Sequence, residues 1–331
     1  MHSNDFFRTD ARTTLCEHFI AAGTVCSLST NSESLLQAAR ETFVAVASPE
    51  DPTEISIRLW VEDADSPGQP WPKPYVRGLG HLVFAGFDAR SSLLANLHTL
   101  RVIGRFSSAM AANKTYWRTV IFPVLMSIVC GSVGVIELHA SCVAKNGLGL
   151  ILAGPSRSGK STLALALAQQ GFQLLSDDRT FCSLRRGELW AWGLPRPLKL
   201  RREAASWFDE LRAQEPNAIQ NGERVFHHEL KGRSVTHCRP RMFVFLERCD
   251  EHGISIAELE KGASKCRIEK ELLPETSAAM QRQGSIVEEL LSLSPYLLRY
   301  GGTPKEIASQ LAESFANWQH CQVTGGQWRA S

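Results

Sequence analysis

One stretch constrains this chain more than any other: Gly154-Pro155-Ser156-Arg157-Ser158-Gly159-Lys160-Ser161, with the apolar run GLGLILA ahead of it and TLALALAQQG behind it. The first run reads as a short buried strand and the second as a helix, so the glycine-rich octet must turn the chain between them. It fits GxxxxGK[ST] at every fixed position. Glycines there let backbone N–H groups face phosphate oxygens, and the helix beyond points the positive end of its dipole at the same anion. Lys160 is placed to reach the outer phosphates of a nucleotide and Ser161 to face Mg²⁺, with Gly154 to Thr162 as the nucleotide-binding stretch. A Gly/Ser turn that binds nothing is the competing reading, and the flanking strand and helix disfavour it.

The next run, FQLLSDD, is a strand ending in Asp177 and Asp178. The first of them stands only 16 residues after Ser161, so a carboxylate from the very next strand is expected at the loop's metal. Adjacent residues on an extended segment point to opposite sides, which predicts different roles for the two. One is expected to bind Mg²⁺, with Ser161 and Asp178 as the metal pair, and the other to act as general base toward an acceptor hydroxyl. Two capping aspartates in a solvent-facing turn are the alternative. Upstream, LHASCVA and GLGLILA are joined through Asn146-Gly147, which favours a tight hairpin.

The stretch from Leu138 to Asp178 resembles the nucleotide core of the HPr kinase/phosphorylase family, and more closely the HPr-kinase-related serine kinases of bacterial biosynthetic clusters. The resemblance implies an α/β fold: a mixed-sheet P-loop domain like the HPr kinase C-terminal domain and phosphoenolpyruvate carboxykinase, with an N-terminal α/β accessory region. It implies an ATP- and Mg²⁺-dependent kinase acting on a hydroxyl. Position by position, His139 falls on a family active-site histidine, Gly154 to Ser161 on the phosphate loop, and Asp177 and Asp178 on the acidic pair. A lone histidine ahead of a buried strand is otherwise more often structural. The family's second glycine-rich signature is not found; WGLPRPLKLRR stands at its place, which puts HPr as substrate and the phosphorylase activity in doubt. Arg196, Lys199 and Arg201 of that run are candidates for contacts to the transferred phosphoryl group, against a solvated strand edge.

The rest of the chain sets the class. It has 331 residues, 44% hydrophobic, with 36 basic and 34 acidic side chains and a net charge of +2. That excludes a disordered chain and gives no bulk charge for holding nucleic acid. Nine scattered cysteines without a CxxC pair, after an N-terminus too polar for a secretory signal, point to a reducing cytoplasm. The uncharged run Thr119–Ile136 is at the lower edge of a membrane span, but it contains Pro123, Gly131 and Gly134 and reads as a buried helix followed by a turn. No membrane span is expected.

The expected organisation is an accessory region over 1–135, a kinase domain over 136–318 and a tail over 319–331. In the first, a helix near Ser34–Thr42, then FVAVA, EISIRLWVE, GHLVFAGF and LHTLRVIGRF read as the main elements, with a proline-rich loop over 63–74. In the second, FCSL and LWAW flank a hairpin turn, LKLRR leads into a helix from about Glu203 to Arg212, and RMFVFLER and LLRY are strands ahead of a helix near 304–316. The polar segment 214–241 is expected to be a lid or binding loop. Its His227, His228, His237 and Cys238 do not have finger spacing, so zinc is disfavoured. Thr324-Gly325-Gly326-Gln327 resembles a transporter-ATPase signature but stands too near the end of the sequence to act as one.

Two function classes remain: a kinase whose acceptor is a serine of a peptide or small protein, or else a hydroxylated small molecule, and an ATP-binding switch with little transfer. Oligomers are compatible with either.

Overall fold

Three two-residue turns set the local pairings. Ala22-Gly23, Asn146-Gly147 and Arg186-Gly187 all have positive φ at both positions (49° and 78°, 54° and 76°, 53° and 79°), the geometry that matches the twist of an antiparallel hairpin. The computed structural model describes residues 13–47, 53–63, 70–194, 196–220, 223–230, 232–272 and 277–324. Gly325-Gly326-Gln327 and part of the 63–74 loop lie outside them. The chain divides into two compact units, with the main boundary between Val135 and Ile136 and residues 277–280 grouped with the first.

The first unit is built on eight strands: β1 (Leu15–Ala21), β2 (Thr24–Thr30), β3 (Val44–Val46), β4 (Ile55–Glu62), β5 (Tyr75–Leu79), β6 (Leu82–Gly86), β7 (Ser92–Asn96) and β8 (Arg101–Ser107). They form one sheet in the order β3-β1-β2-β4-β8-β7-β6-β5. GHLVFAGF and LHTLRVIGRF contribute β6 and β8, which do not pair directly because β7 lies between them. Helix α1 (Glu33–Arg40) is capped by Ser32, whose side chain accepts from the Leu35 N–H, and α2 (Ser108–Ala112) follows β8. Lys114–Val133 is one continuous helical stretch that includes α3 (Lys114–Tyr116), a π-helical turn at Trp117–Ile121 and α4 (Phe122–Val129). It is long and apolar enough to cross a membrane, and 50% of its most apolar window is buried within the protein. Trp117 packs there between Phe106 and Phe122, and Gly134 (φ 70°) ends the helix in a left-handed turn.

In the second unit β9 (Val135–Leu138), β10 (Ala140–Lys145) and β11 (Leu148–Ala153) precede α5 (Lys160–Gln169) and β12 (Gln173–Ser176). Then come β13 (Thr180–Arg185), β14 (Glu188–Trp192), β15 (Leu198–Arg201), α6 (Arg202–Ala205), α7 (Asp209–Arg212), β16 (Ala218–Gln220) and β17 (Glu223–His228). The chain finishes with β18 (His237–Arg248), β19 (Gly253–Glu258), α8 (Lys261–Glu271), α9 (Ser277–Ser292), β20 (Tyr296–Gly301) and α10 (Pro304–Thr324). The long β18 is the trunk of a mixed sheet. Its first residues pair with β14, its middle runs parallel to β11, and its last residues run parallel to β20. β11 in turn pairs antiparallel with β10, and β10 with β12 at the edge.

Successive residues of β11 and β18 feed two different cores. Leu150, Leu152, Met242 and Val244 pack on the α5 and α10 face, while Ile151, Ala153, Phe243 and Phe245 pack on the α8 and α9 face. A sheet covered on both sides explains why these strands read as unbroken apolar runs. Helix α5 is buried from Leu163 through Ala168, because α10 lies over it and the sheet lies under it.

Two expectations for this unit are corrected. The segment 214–241 is not a free-standing lid: β17 pairs antiparallel with both β15 and β16 in a three-stranded sheet. In β17 the adjacent Val225 and Phe226 are both buried, while Glu223 and Arg224 at its start are exposed. The helix expected from Glu203 to Arg212 is broken between α6 and α7, where Phe208 turns extended (φ −115°, ψ 120°). That places its ring in the α5 core beside Ala205 and Leu211.

Candidate functional site

The octet 154–161 joins β11 to α5, and its backbone needs glycine at both ends. Gly154 has φ 137°, and a Cβ there would sit 2.8 Å from the Leu246 carbonyl; Gly159 has φ 89° and packs directly under the Tyr300 hydroxyl. That hydroxyl donates a short hydrogen bond to the Ser158 carbonyl, so β20 clamps the loop from behind. Gly159 supplies no side-chain cap to α5, and the first-turn N–H groups of a helix have no intrahelical acceptor. Ser158 Oγ is buried with no hydrogen-bond partner among the described residues. Lys160, 7% exposed, curls into the loop and donates to the carbonyls of Gly154 (2.6 Å) and Pro155 (3.3 Å). Burial lowers its pKa, opposed by the Glu271, Asp178 and Asp177 carboxylates. A left-handed Arg157 (φ 72°) completes the turn. An open helix end, an inward ammonium and glycines where side chains would collide together make a cradle whose chemistry fits a phosphate chain.

The two aspartates do face different partners, but not by strand alternation. β12 ends at Ser176, and Asp178 is left-handed (φ 72°), so a turn separates them. Asp177 is buried; its Oδ1 accepts from Ser161 Oγ at 2.7 Å and Ser141 Oγ at 2.9 Å, and its Oδ2 accepts from the Lys199 N–H at 3.0 Å. Burial raises its pKa, against those donors. It is therefore Asp177, not Asp178, that meets the Ser161 hydroxyl.

Asp178 lies beside His139, with Nε2 to Oδ1 at 3.0 Å. The other ring nitrogen is 3.4 Å from a Glu271 carboxylate oxygen, and the His139 N–H donates to the Glu271 carbonyl at 2.7 Å. The hydrogen bond to Asp178, and next that to Glu271, push His139 up to about 9. The same bond from His139 holds Asp178 down at about 2. An imidazolium flanked by two carboxylates is the form these contacts favour.

Of the three basic candidates, two converge here. Lys199 sits on β15 with its N–H on Asp177, and Arg196 is close enough to Asp178 for each to act on the other's charge. Burial, and next the neighbouring Arg179 guanidinium, lower the Arg196 pKa. Arg201 instead pairs with Glu223 of β17 at 3.1 Å, which also faces Arg157 at 3.7 Å. The disfavoured zinc set is scattered: His237 lies against Trp190 and Trp192, Cys238 is buried beside Cys142 (Sγ to Sγ 3.9 Å), and His227 and His228 are on β17.

Sequence reasoning missed Ser141, Glu271, Arg179 and Tyr300. Ser141 lies on β10, two residues after His139, which stands at the bend between β9 and β10. Arg179 follows the acidic pair directly and is bound to the buried Glu137 at 2.8 Å. Glu271 and Tyr300 carry no local signal.

The fold defined by these elements is a mixed α/β architecture with large mixed sheets. No family model matches the chain, and no curated protein matches it. Among solved structures, the Hpr(Ser) kinase/phosphatase from Coxiella burnetii is similar over 57% of this chain and 96% of its own, with 12% sequence identity and a TM-score of 0.31. This is a weak structural likeness, from which no activity follows.

Proposed function

We propose that this protein is a magnesium- and ATP-dependent kinase that transfers the γ-phosphoryl group to a hydroxyl, with serine of a peptide or small protein as the first-choice acceptor. The observation that carries the reading is the Ser161–Asp177 contact at the mouth of the loop. A buried carboxylate held by the Ser141 hydroxyl and the Lys199 N–H, beside the Ser161 hydroxyl at the start of α5, is an oxygen donor set that suits Mg²⁺. Bound there, the ion supplies neutralisation of charge on the phosphoryl group in transfer.

The chain's own residues divide the remaining work. The first-turn N–H groups of α5 and the Lys160 ammonium hold the phosphate chain. Asp178 is the exposed member of the acidic pair and accepts the hydroxyl proton as the new P–O bond forms. In a loose transition state that proton leaves late, so a carboxylate of low basicity serves. His139, held by Glu271, donates to Asp178 and fixes its orientation. Arg196 and Lys199 place positive charge where the phosphoryl group passes.

The switch alternative needs a segment that nucleotide puts in order. Residues 225–228 are already paired with β15, and 223–225 with β16, which favours transfer over switching. The test is incubation with labelled MgATP and candidate acceptors, comparing wild type with Lys160→Ala, Asp177→Asn and Asp178→Asn. Wild type is expected to label a serine, Lys160→Ala and Asp177→Asn to lose MgATP uptake, and Asp178→Asn to bind but transfer at least ~10²-fold more slowly. MgATP uptake with no phosphate ever reaching an acceptor or water refutes the kinase reading; intact mass of co-expressed neighbouring gene products identifies the acceptor.

A further inference from the structure

A second concave surface opens on the same loop. A cleft of about 280 Å³ is bounded by residues 155–158, by Glu247 and Arg248 at the end of β18, and by Arg267 of α8. Helix α8 fixes where this cleft lies relative to the carboxylate–histidine pair. Arg267 and Glu271 are four residues apart, so they share one helix face about 6 Å apart. Glu271 holds His139, and His139 holds Asp178. The cleft is therefore one helical turn from Glu271, which stands on the far side of the His139 ring from Asp178, the group assigned to the acceptor hydroxyl. Its neighbour Ile268 packs in the core on the sheet face away from α5, so this approach to the loop is on the α8 side.

The charge of the cleft is one-sided. Three arginines (157, 248 and 267) and a single carboxylate line it. That carboxylate, Glu247, is already shared between Arg299 at 3.0 Å and Arg267 at 3.5 Å. Arg248 is exposed and has no ion-pair partner among the described residues. Guanidinium groups match carboxylates by paired N–H donors, so an acidic ligand is the complement. The volume decides its size. Small-molecule sites run to roughly 300–1,000 Å³, and this cleft lies just below that range, so it suits one or two side chains of a longer acceptor.

We propose that this cleft docks the acceptor, and that the acceptor is a peptide or protein segment with aspartate or glutamate within a few residues of its phosphorylated serine; this deepens the kinase reading and rests on it. The serine hydroxyl reaches Asp178 while the flanking carboxylate lies among Arg248, Arg267 and Arg157.

The experiment uses the full chain with Mg²⁺ and a non-hydrolysable ATP analogue. Three fluorescein-labelled serine peptides, flanked by glutamates, alanines or lysines, are titrated by fluorescence anisotropy. The glutamate peptide is expected to bind at least ~10-fold more tightly than the alanine peptide, and the lysine peptide most weakly. Arg248→Glu is expected to remove that preference with the affinity for the analogue unchanged, and Arg267→Gln to halve it or more. Arg186→Glu, the same charge change on the exposed β13–β14 turn, is expected to leave it intact. The inference is overturned if the three peptides bind alike, if Arg186→Glu acts as strongly as Arg248→Glu, or if Arg248→Glu weakens the analogue rather than the peptide. Absence of analogue binding refutes the kinase reading instead, while the order of peptide affinities still decides the cleft.

Discussion

Replacing Gly159 with alanine tests whether β20 clamps the loop. At φ 89° an alanine pays the left-handed penalty of about 1–2 kcal/mol, and its Cβ points into the Tyr300 hydroxyl. Moving that ring breaks its hydrogen bond to the Ser158 carbonyl, another ~1 kcal/mol. Gly159→Ala should therefore destabilise the second unit by about 2–3 kcal/mol. Tyr300→Phe alone should cost about 1 kcal/mol. In the double variant the hydroxyl is gone, the collision is relieved and the hydrogen bond is lost only once, so the total should fall short of the sum by about 1 kcal/mol. Urea unfolding followed by hydrogen exchange of β11 and α5 peptides reads the second unit separately from the first. Additivity to within ~0.3 kcal/mol would mean that Gly159 and Tyr300 do not touch and would refute the clamp.

Two further outcomes follow from the structure. The His139–Asp178 pair predicts a pH signature: with His139 raised from 6.5 to about 9, its stabilisation is complete below about pH 6.5 and is lost as pH rises through about 9. Asp178, lowered from 3.8 to about 2, gives the mirror loss as pH falls through that range. Thermal unfolding of His139→Gln should show a flatter profile than wild type between pH 6.5 and 9, and parallel curves would sink the assignment. Gly193→Ala drives a Cβ into the Leu175 carbonyl, a backbone atom that cannot swing aside, and should cost about 3 kcal/mol in urea unfolding. Gly253→Ala meets nothing and should shift stability by no more than about 1 kcal/mol; equal effects at the two positions would refute the close approach.

The strand–loop–helix around Gly154–Ser161 was legible because each part is local. A short apolar run, two glycines and an Ala/Leu run are read within twenty-odd residues, and the Asn146-Gly147 and Arg186-Gly187 turns need only their own φ preferences. The polar 214–241 segment was misread because β17 has only two adjacent apolar residues, Val225 and Phe226, too few to show a strand period until β15 lies beside it. The break at Phe208 was hidden for a similar reason: burial of its ring outweighs the helix propensity of its neighbours.

What the residues alone determined, then, is the chemistry within reach of one turn of chain: a glycine loop, an ammonium, a hydroxyl and two carboxylates. Folding decided which of these meet. Asp177 faces Ser161 because Ser141 on β10 and the Lys199 N–H on β15 hold it there, and Asp178 faces His139 because a left-handed turn swings it away. Glu271 and Tyr300 enter from elements far along the chain, through pairings set by burial of both sheet faces rather than by any nearby spacing.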